Sequence, residues 1–199
     1  MAWRAELLVA ISLVACGKRA STDEQKKPLP APAPRVLPPG PIAVPRARAP
    51  IPIDGEWEPA WNDVAARMIF HARDAVSTEA RPYSEMRLLR DRDALLVGLY
   101  AADEEIHSNE TFDVTIGALH FTVDATGAIA PPIAGAKSAI DLDGTRDQPG
   151  DYDEEWKLEL SIPLSALGAG EQPIKASRCD TPKDGIERCG EWSGALAPL

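Results

Sequence analysis

The chain has 199 residues and a formal net charge of −10, from 21 basic and 31 acidic side chains, with 19 prolines. A balance this acidic excludes nucleic acid as the principal partner, because phosphate recognition needs a basic footprint; the composition also excludes collagen, coiled coil and polytopic membrane protein. The charge is unevenly placed: residues 1–52 carry 8 basic and 3 acidic side chains (+5), and residues 53–199 carry 13 and 28 (−15). At the N-terminus Arg4 precedes a short apolar run from Leu7 to Ala15. Such a run spans about 14 Å as a helix, well short of a hydrocarbon core of about 30 Å, so residues 1–15 read as a signal peptide.

Leu13-Val14-Ala15-Cys16 resembles the lipobox of bacterial lipoproteins. The resemblance implies that the Cys16 thiol is diacylated and that Cys16 becomes the mature N-terminus. Two acyl chains hold a protein to a membrane far more firmly than one, and Gly17 after the cysteine implies export to the outer membrane of a Gram-negative cell. Residues 16–52 then read as a tether. Ten prolines fall between Pro28 and Pro52, which suits polyproline II at about 3.1 Å per residue and a reach on the order of 80 Å. With Cys16 set aside, Cys179 and Cys189 are an even pair in a compartment where disulfides persist. The rival, a metal site, lacks a histidine near them. A disulfide between the two is expected.

Residues 53–199 have the pattern of an all-β domain. Residues 86–90 and 94–102 read as strands joined by a turn at Asp91-Arg92-Asp93, and residues 112–116 and 120–124 repeat the theme before Ala125-Thr126-Gly127. Residues 138–142 and 174–178 are further strands, and Trp156-Lys-Leu-Glu-Leu-Ser-Ile162 alternates apolar and polar before a proline. Helical signals are confined to residues 59–66 and a single turn at 163–167. Short strands at this spacing, without long alternating helices, predict an antiparallel β-sandwich.

Ile53-Asp54-Gly55-Glu56-Trp57-Glu58-Pro59-Ala60-Trp61 resembles the opening of family 9 carbohydrate-binding modules and the related DOMON-type sandwiches. The hairpin from Met86 through Asp91 to Asp103, the strand and turn Phe121-Thr-Val-Asp124-Ala-Thr-Gly127, and Trp156-Lys-Leu-Glu159-Leu-Ser-Ile162-Pro163 followed by Leu167 are similar to the family's later signatures, in the same order. The resemblance implies the sandwich fold and carbohydrate binding. In the family a sugar is clamped between two tryptophans, one in the loop before the strand that starts here near Phe112 and one near the C-terminus. The first loop carries no tryptophan in this chain, so the glycan-facing candidates are Trp192, His107, Asn109 and Glu110.

The acidic stretch Asp141, Asp143, Asp147, Asp151 and Asp153 is a candidate structural calcium site, since calcium takes six to eight oxygen ligands. Its spacing does not follow the EF-hand pattern, and a solvated acidic loop is the alternative. No Gly-x-Ser-x-Gly elbow, His-Glu-x-x-His or phosphate loop is present, and His71, His107 and His120 are scattered. The expectation is a non-catalytic, monomeric lipoprotein, anchored to the membrane through Cys16 and holding carbohydrate at the envelope. The alternative is a structural or protein-interaction lipoprotein that keeps the sandwich without sugar binding. At −15 the domain repels acidic glycans unless calcium bridges them.

Overall fold

The computed structural model describes residues 40–199, apart from residues 74, 149, 151 and 184. The signal peptide, Cys16, the tether up to residue 39 and Asp151 lie outside the described residues. In chain order the elements are α1 (Pro59–Asp63), β1 (Ala66–Ile69), β2 (His71–Ala72), β3 (Ala75–Glu79), β4 (Ser84–Arg90), β5 (Ala94–Ala102), β6 (Thr111–Ile116), β7 (Leu119–Asp124), β8 (Ile129–Ala130), β9 (Lys137–Asp143), β10 (Glu155–Pro163), β11 (Gln172–Asp180) and β12 (Arg188–Leu196). One 3-10 turn, Leu164–Ala166, follows β10. The strands form two antiparallel sheets, β1-β4-β5-β10-β9 and β3-β2-β12-β11-β6-β7-β8. This is the β-sandwich that the strand spacing predicts.

Period-two alternation supplies the core between the sheets. The smaller sheet contributes Leu95, Val97, Leu99, Trp156, Leu158, Leu160 and Ile162; the larger contributes Phe112, Val114, Ile116, Phe121, Val123, Ile174 and Leu196. Phe112 meets the Trp156 ring edge-on at 5.1 Å and the Phe70 ring at 5.9 Å. β4 and β5 break the alternation, because most of their residues are buried on both faces. The reason is a second apolar cluster on the outer face of the smaller sheet, where α1 lays Trp61 on Leu89, Ala94 and Leu96. A strand covered on both faces reads as a continuous apolar run, and Leu88-Leu89 and Leu95-Leu96-Val97 are such runs.

One carboxylate fixes that cover. Glu159 on β10 accepts from the Trp61 indole Nε1 at 2.7 Å and from the backbone N–H groups of Asp54 and Gly55 at 3.1 and 3.0 Å. Gly55 has φ of 98°, and a Cβ there would lie 2.5 Å from the Ile140 carbonyl carbon. Only glycine lets the turn approach β9 that closely. The Ile-Asp-Gly turn, the buried tryptophan and the glutamate of the Trp156 segment, separate in sequence, are thus one hydrogen-bonded clasp. The expected turns hold by the same chemistry. Asp91 Oδ1 accepts from the N–H of Asp93 and Ala94 at 2.7 and 2.6 Å, and Asp124 Oδ1 from Thr126 at 2.8 Å.

The chain is already part of the sandwich from Ile42, ahead of the boundary read from the sequence at Ile53. Ile42 donates to Ala195 O and accepts from Ala197 N, each at 2.8 Å, beside the end of β12. A few residues on, Arg90 N donates to Pro45 O at 2.9 Å and Ala47 N to Arg90 O at 2.8 Å, at the end of β4. Ile42 and Val44 are buried. Proline tolerates an edge position because it lacks only the donor, so the segment straps the larger sheet to the smaller. Helix α1 is shorter than the sequence suggests, ending at Asp63, because Ala66, Met68 and Phe70 alternate into the core as β1 begins. Among the described residues no helix is long and apolar enough to cross a membrane.

Candidate functional site

At one end of the sandwich β5 and β11 finish while β4, β6, β10 and β12 begin, so the loops at residues 81–83, 103–110, 152–154 and 181–187 converge there. Beneath these loops lies Arg178, 3% exposed, on β11. Its Nη2 sits 2.6 Å from Asp103 Oδ2, 3.1 Å from Glu110 Oε2 and 3.5 Å from Asp180 Oδ1. Its Nη1 donates to Ala102 O at 3.3 Å, and its guanidinium carbon is 5.9 Å from the Trp156 ring centroid. Three carboxylates around one cation leave surplus negative charge in a desolvated place. Burial and the neighbouring Asp103 push the Glu110 carboxyl up to about 9, against the pull of Arg178, and burial raises Asp180 too. At neutral pH Glu110 therefore keeps its proton. The cluster ties β5, the 103–110 loop and β11 into one rigid base. Beside it the disulfide Cys179–Cys189 links β11 to β12 at a Cα–Cα distance of 4.0 Å, as the cysteine count predicts.

Above this base lies a groove of about 800 Å3, lined by Tyr83, Tyr152, Pro82, Pro182, Glu104 and Arg188 among others. Tyr152 is 74% exposed, whereas Tyr83 is half-buried, with its ring 5.8 Å from that of Tyr100. Two aromatic rings, two proline rings and charged side chains of both signs thus face one open cleft. Such a surface offers flat apolar area together with hydrogen-bonding groups at its edge.

The structure brings some of the sequence candidates to this end and leaves others elsewhere. His107 and Asn109 are exposed on the 103–110 loop, and Glu110 lies in the base. Trp192 stands on β12 opposite Ala176, partly buried against the main core, with its ring folded over Gly194. It does not line the groove. The acidic aspartates serve separate partners. Asp141 faces Lys157 at 3.5 Å, while Asp143, exposed, ends β9. Asp153 is buried and accepts from Ile106 N and Thr145 N, both at 2.8 Å. Asp147 accepts from Ser108 N at 3.0 Å, with His107 Nδ1 3.8 Å away, and these interactions hold its carboxyl below the usual range. The acidic loop is thereby laced to the 103–110 loop. Among the described residues the three acids whose carboxylate oxygens converge are Asp103, Glu110 and Asp180, with the Arg178 guanidinium among them.

Tyr83, Tyr152 and Arg178 are absent from the sequence-derived candidates. Tyr152 had a usable signal, as an aromatic inside an acidic loop between strands; Arg178, on an alternating strand, carried none.

No protein-family model matches the chain, and no curated protein sequence is similar to it. Its fold, however, is shared with solved structures. A family 9 carbohydrate-binding module from Caldicellulosiruptor kristjanssonii, solved in complex with glucose, superposes with a TM-score of 0.57 at 16% identity, over 78% of this chain and 94% of that one. Another family 9 module structure from the same organism, in complex with cellotriose, gives 0.55 at 17% identity, over 75% and 82%. The sandwich is therefore of the family 9 carbohydrate-binding module type.

Proposed function

We propose that the protein is a membrane-tethered, non-catalytic carbohydrate-binding lipoprotein that holds glycan at the cell envelope, at the outer membrane of a Gram-negative bacterium. The carrying observation is the loop-end groove, in which Tyr83 and the exposed Tyr152 face a single cleft above a rigid charged base. Sugar rings stack their C–H faces on such aromatics while peripheral polar groups meet the hydroxyls. The module fold supports the same reading, since its solved neighbours were captured with glucose and cellotriose. The Ala15-Cys16 junction supplies the tether, with two acyl chains on Cys16.

The test is a glycan array probed with the full-length protein, with calcium and with chelator. Binding to a defined neutral glycan is expected, and it should persist in chelator, because backbone N–H groups already hold Asp147 and Asp153. Tyr152→Ala should abolish binding without lowering the melting temperature, since the side chain is exposed. Metabolic labelling with a fatty acid, lost in Cys16→Ser, tests the anchor. The second reading, a sandwich kept for structural or protein contacts without sugar, is favoured by Trp192 packing on the core rather than standing free as a clamp. Silence across a broad panel would select it.

A further inference from the structure

Three concavities meet along the loop at residues 81–83. Arg81, Pro82 and Tyr83 form one wall of the loop-end groove of about 800 Å3. Tyr83 also lines a cavity of about 400 Å3 on the outer face of the smaller sheet, with Trp57, Tyr100 and Asn62. Arg81, together with Arg188, also lines a hollow of about 550 Å3 beside β2 and β12, where Ile186 and Arg73 stand. Shared walls make the three a single run. It passes from the outer face of the smaller sheet, over the loop end, to the side of the larger sheet. Each volume lies within the range of about 300–1,000 Å3 usual for small-molecule sites, and together they exceed its upper end.

The run carries apolar surface at each station. Trp57 and Tyr100 wall the first, with ring centroids 6.2 Å apart. Tyr83 joins the first to the second: its ring lies 5.8 Å from Tyr100, and its hydroxyl donates to Glu85 and accepts from Arg67 Nη2 at 2.8 Å. Tyr152, 74% exposed, stands in the second, and Ile186, 60% exposed, in the third. Exposed apolar side chains scattered singly need no explanation. These two fall in adjoining hollows of one run. The charged lining, by contrast, is settled within the protein. Lys157 Nζ lies 2.7 Å from Glu155 and 3.5 Å from Asp141, and Arg67 and Arg87 share Glu85. Arg81 faces Glu79 at 3.7 Å, Arg73 faces Glu191 at 3.5 Å, and Lys183 faces Glu105 at 3.8 Å. Among the described lining residues, cations and carboxylates are equal in number.

We propose, resting on the reading of the loop-end groove as a glycan site, that the three hollows are successive subsites of one track, and that the track takes the interior of a neutral, linear, β-linked polysaccharide. A single terminal sugar fills one station and leaves the others bare. An extended β-linked chain presents the C–H faces of successive rings along its length, and these meet Trp57 and Tyr100, then Tyr83 and Tyr152, then Ile186. A charged polymer gains nothing from a lining whose ions are balanced, and an acidic one meets the −15 of the domain as well.

Calorimetric titration of the full-length protein with cello-, xylo- and manno-oligosaccharides of increasing length tests the assignment. In at least one ladder the hexasaccharide is expected to bind about tenfold or more tightly than the disaccharide. Reducing its terminal ring to the open alditol should leave that affinity unchanged. Asn62→Ala and Ile186→Ala, at opposite ends of the track and both exposed, should each weaken the hexasaccharide by about threefold or more and leave the disaccharide as it was. Arg92→Gln, at the far β4–β5 turn and 85% exposed, should change neither. Affinity that does not grow with length overturns the proposal, as does binding lost on reducing the terminal ring. So do end substitutions that spare the hexasaccharide or weaken both lengths alike, and so does silence in all three ladders. A disaccharide that binds through Tyr152 without gain on lengthening sinks this inference and leaves the groove reading standing; silence on the glycan array sinks the groove reading itself.

Discussion

Replacing Glu159 by alanine tests whether the clasp at Trp61 holds the outer cover of the smaller sheet. The substitution strands three donors: the indole Nε1, at 2.7 Å from the carboxylate, and the N–H groups of Asp54 and Gly55, at 3.1 and 3.0 Å. A buried donor left unpaired costs about 1–3 kcal/mol. Asp54 and Gly55 belong to a turn that water can reach by a small opening, so their share falls at the low end, while the indole is sealed under α1 with Trp61 1% exposed. Against this, removing the carboxylate returns the cost of its own burial, the same burial that raises its pKa. The expected net loss is about 3–4 kcal/mol. Trp61→Phe removes one donor and leaves the carboxylate two, so it should cost about 2–3 kcal/mol including lost ring area. Because both changes break the same bond, the double variant should fall short of the sum by about 1–2 kcal/mol. Equilibrium urea unfolding of the full-length protein, followed by tryptophan fluorescence, measures all three. A Glu159→Ala loss below about 1 kcal/mol, or strict additivity with Trp61→Phe, would refute the clasp as a source of stability.

Two further outcomes follow from the loop end. Glu110 titrates at about 9 in the folded protein against an ordinary value of 4.5, so between those values the unfolded chain has released a proton that the folded chain keeps. The stability this group contributes is complete below about 4.5 and is lost as pH rises towards 9; Glu110→Gln should flatten the pH dependence of the melting temperature across that window, and an unchanged slope would contradict it. Removing the Cys179–Cys189 bridge by paired alanine substitution frees a loop of sequence separation 10, which in the chain-entropy model is worth about 2.7 kcal/mol. The matching drop should appear in urea unfolding, and reductant should then have no further effect on the doubly substituted protein.

Much of the fold was legible because its information is local. Trp156 to Ile162 alternates cleanly, and Asp91 and Asp124 announce turns by bonding their own backbone. β12 was not legible as a strand, because Gly190, Ser193 and Gly194 interrupt its alternation; its place is set by pairing with β11 and by room for Ala80, Phe70 and Trp192 beside the glycines. The strap at residues 42–47 was hidden for a different reason, since its prolines suggest a free tether while Ile42 and Val44 find a core that lies elsewhere in sequence. Site residues fared worse than strands. Trp192 looks like a ligand platform only when its neighbours across the sheet are unknown. Tyr83 and Tyr152 come from loops far apart in the chain, and only the closing of the sandwich brings them to one cleft.

The strap also decides how the domain bears load. Ile42 is laced to the Leu196 end of β12, and the groove opens at the Arg188 end of the same strand. Eight residue steps at about 3.3 Å put roughly 26 Å between mooring and grip. A pull along the incoming chain is taken first by rungs on both sheets, at Ala195 and Ala197 on one and at Arg90 on the other. A pull along the incoming chain would therefore load these hydrogen bonds before it reached the loops around Tyr152, at the opposite pole.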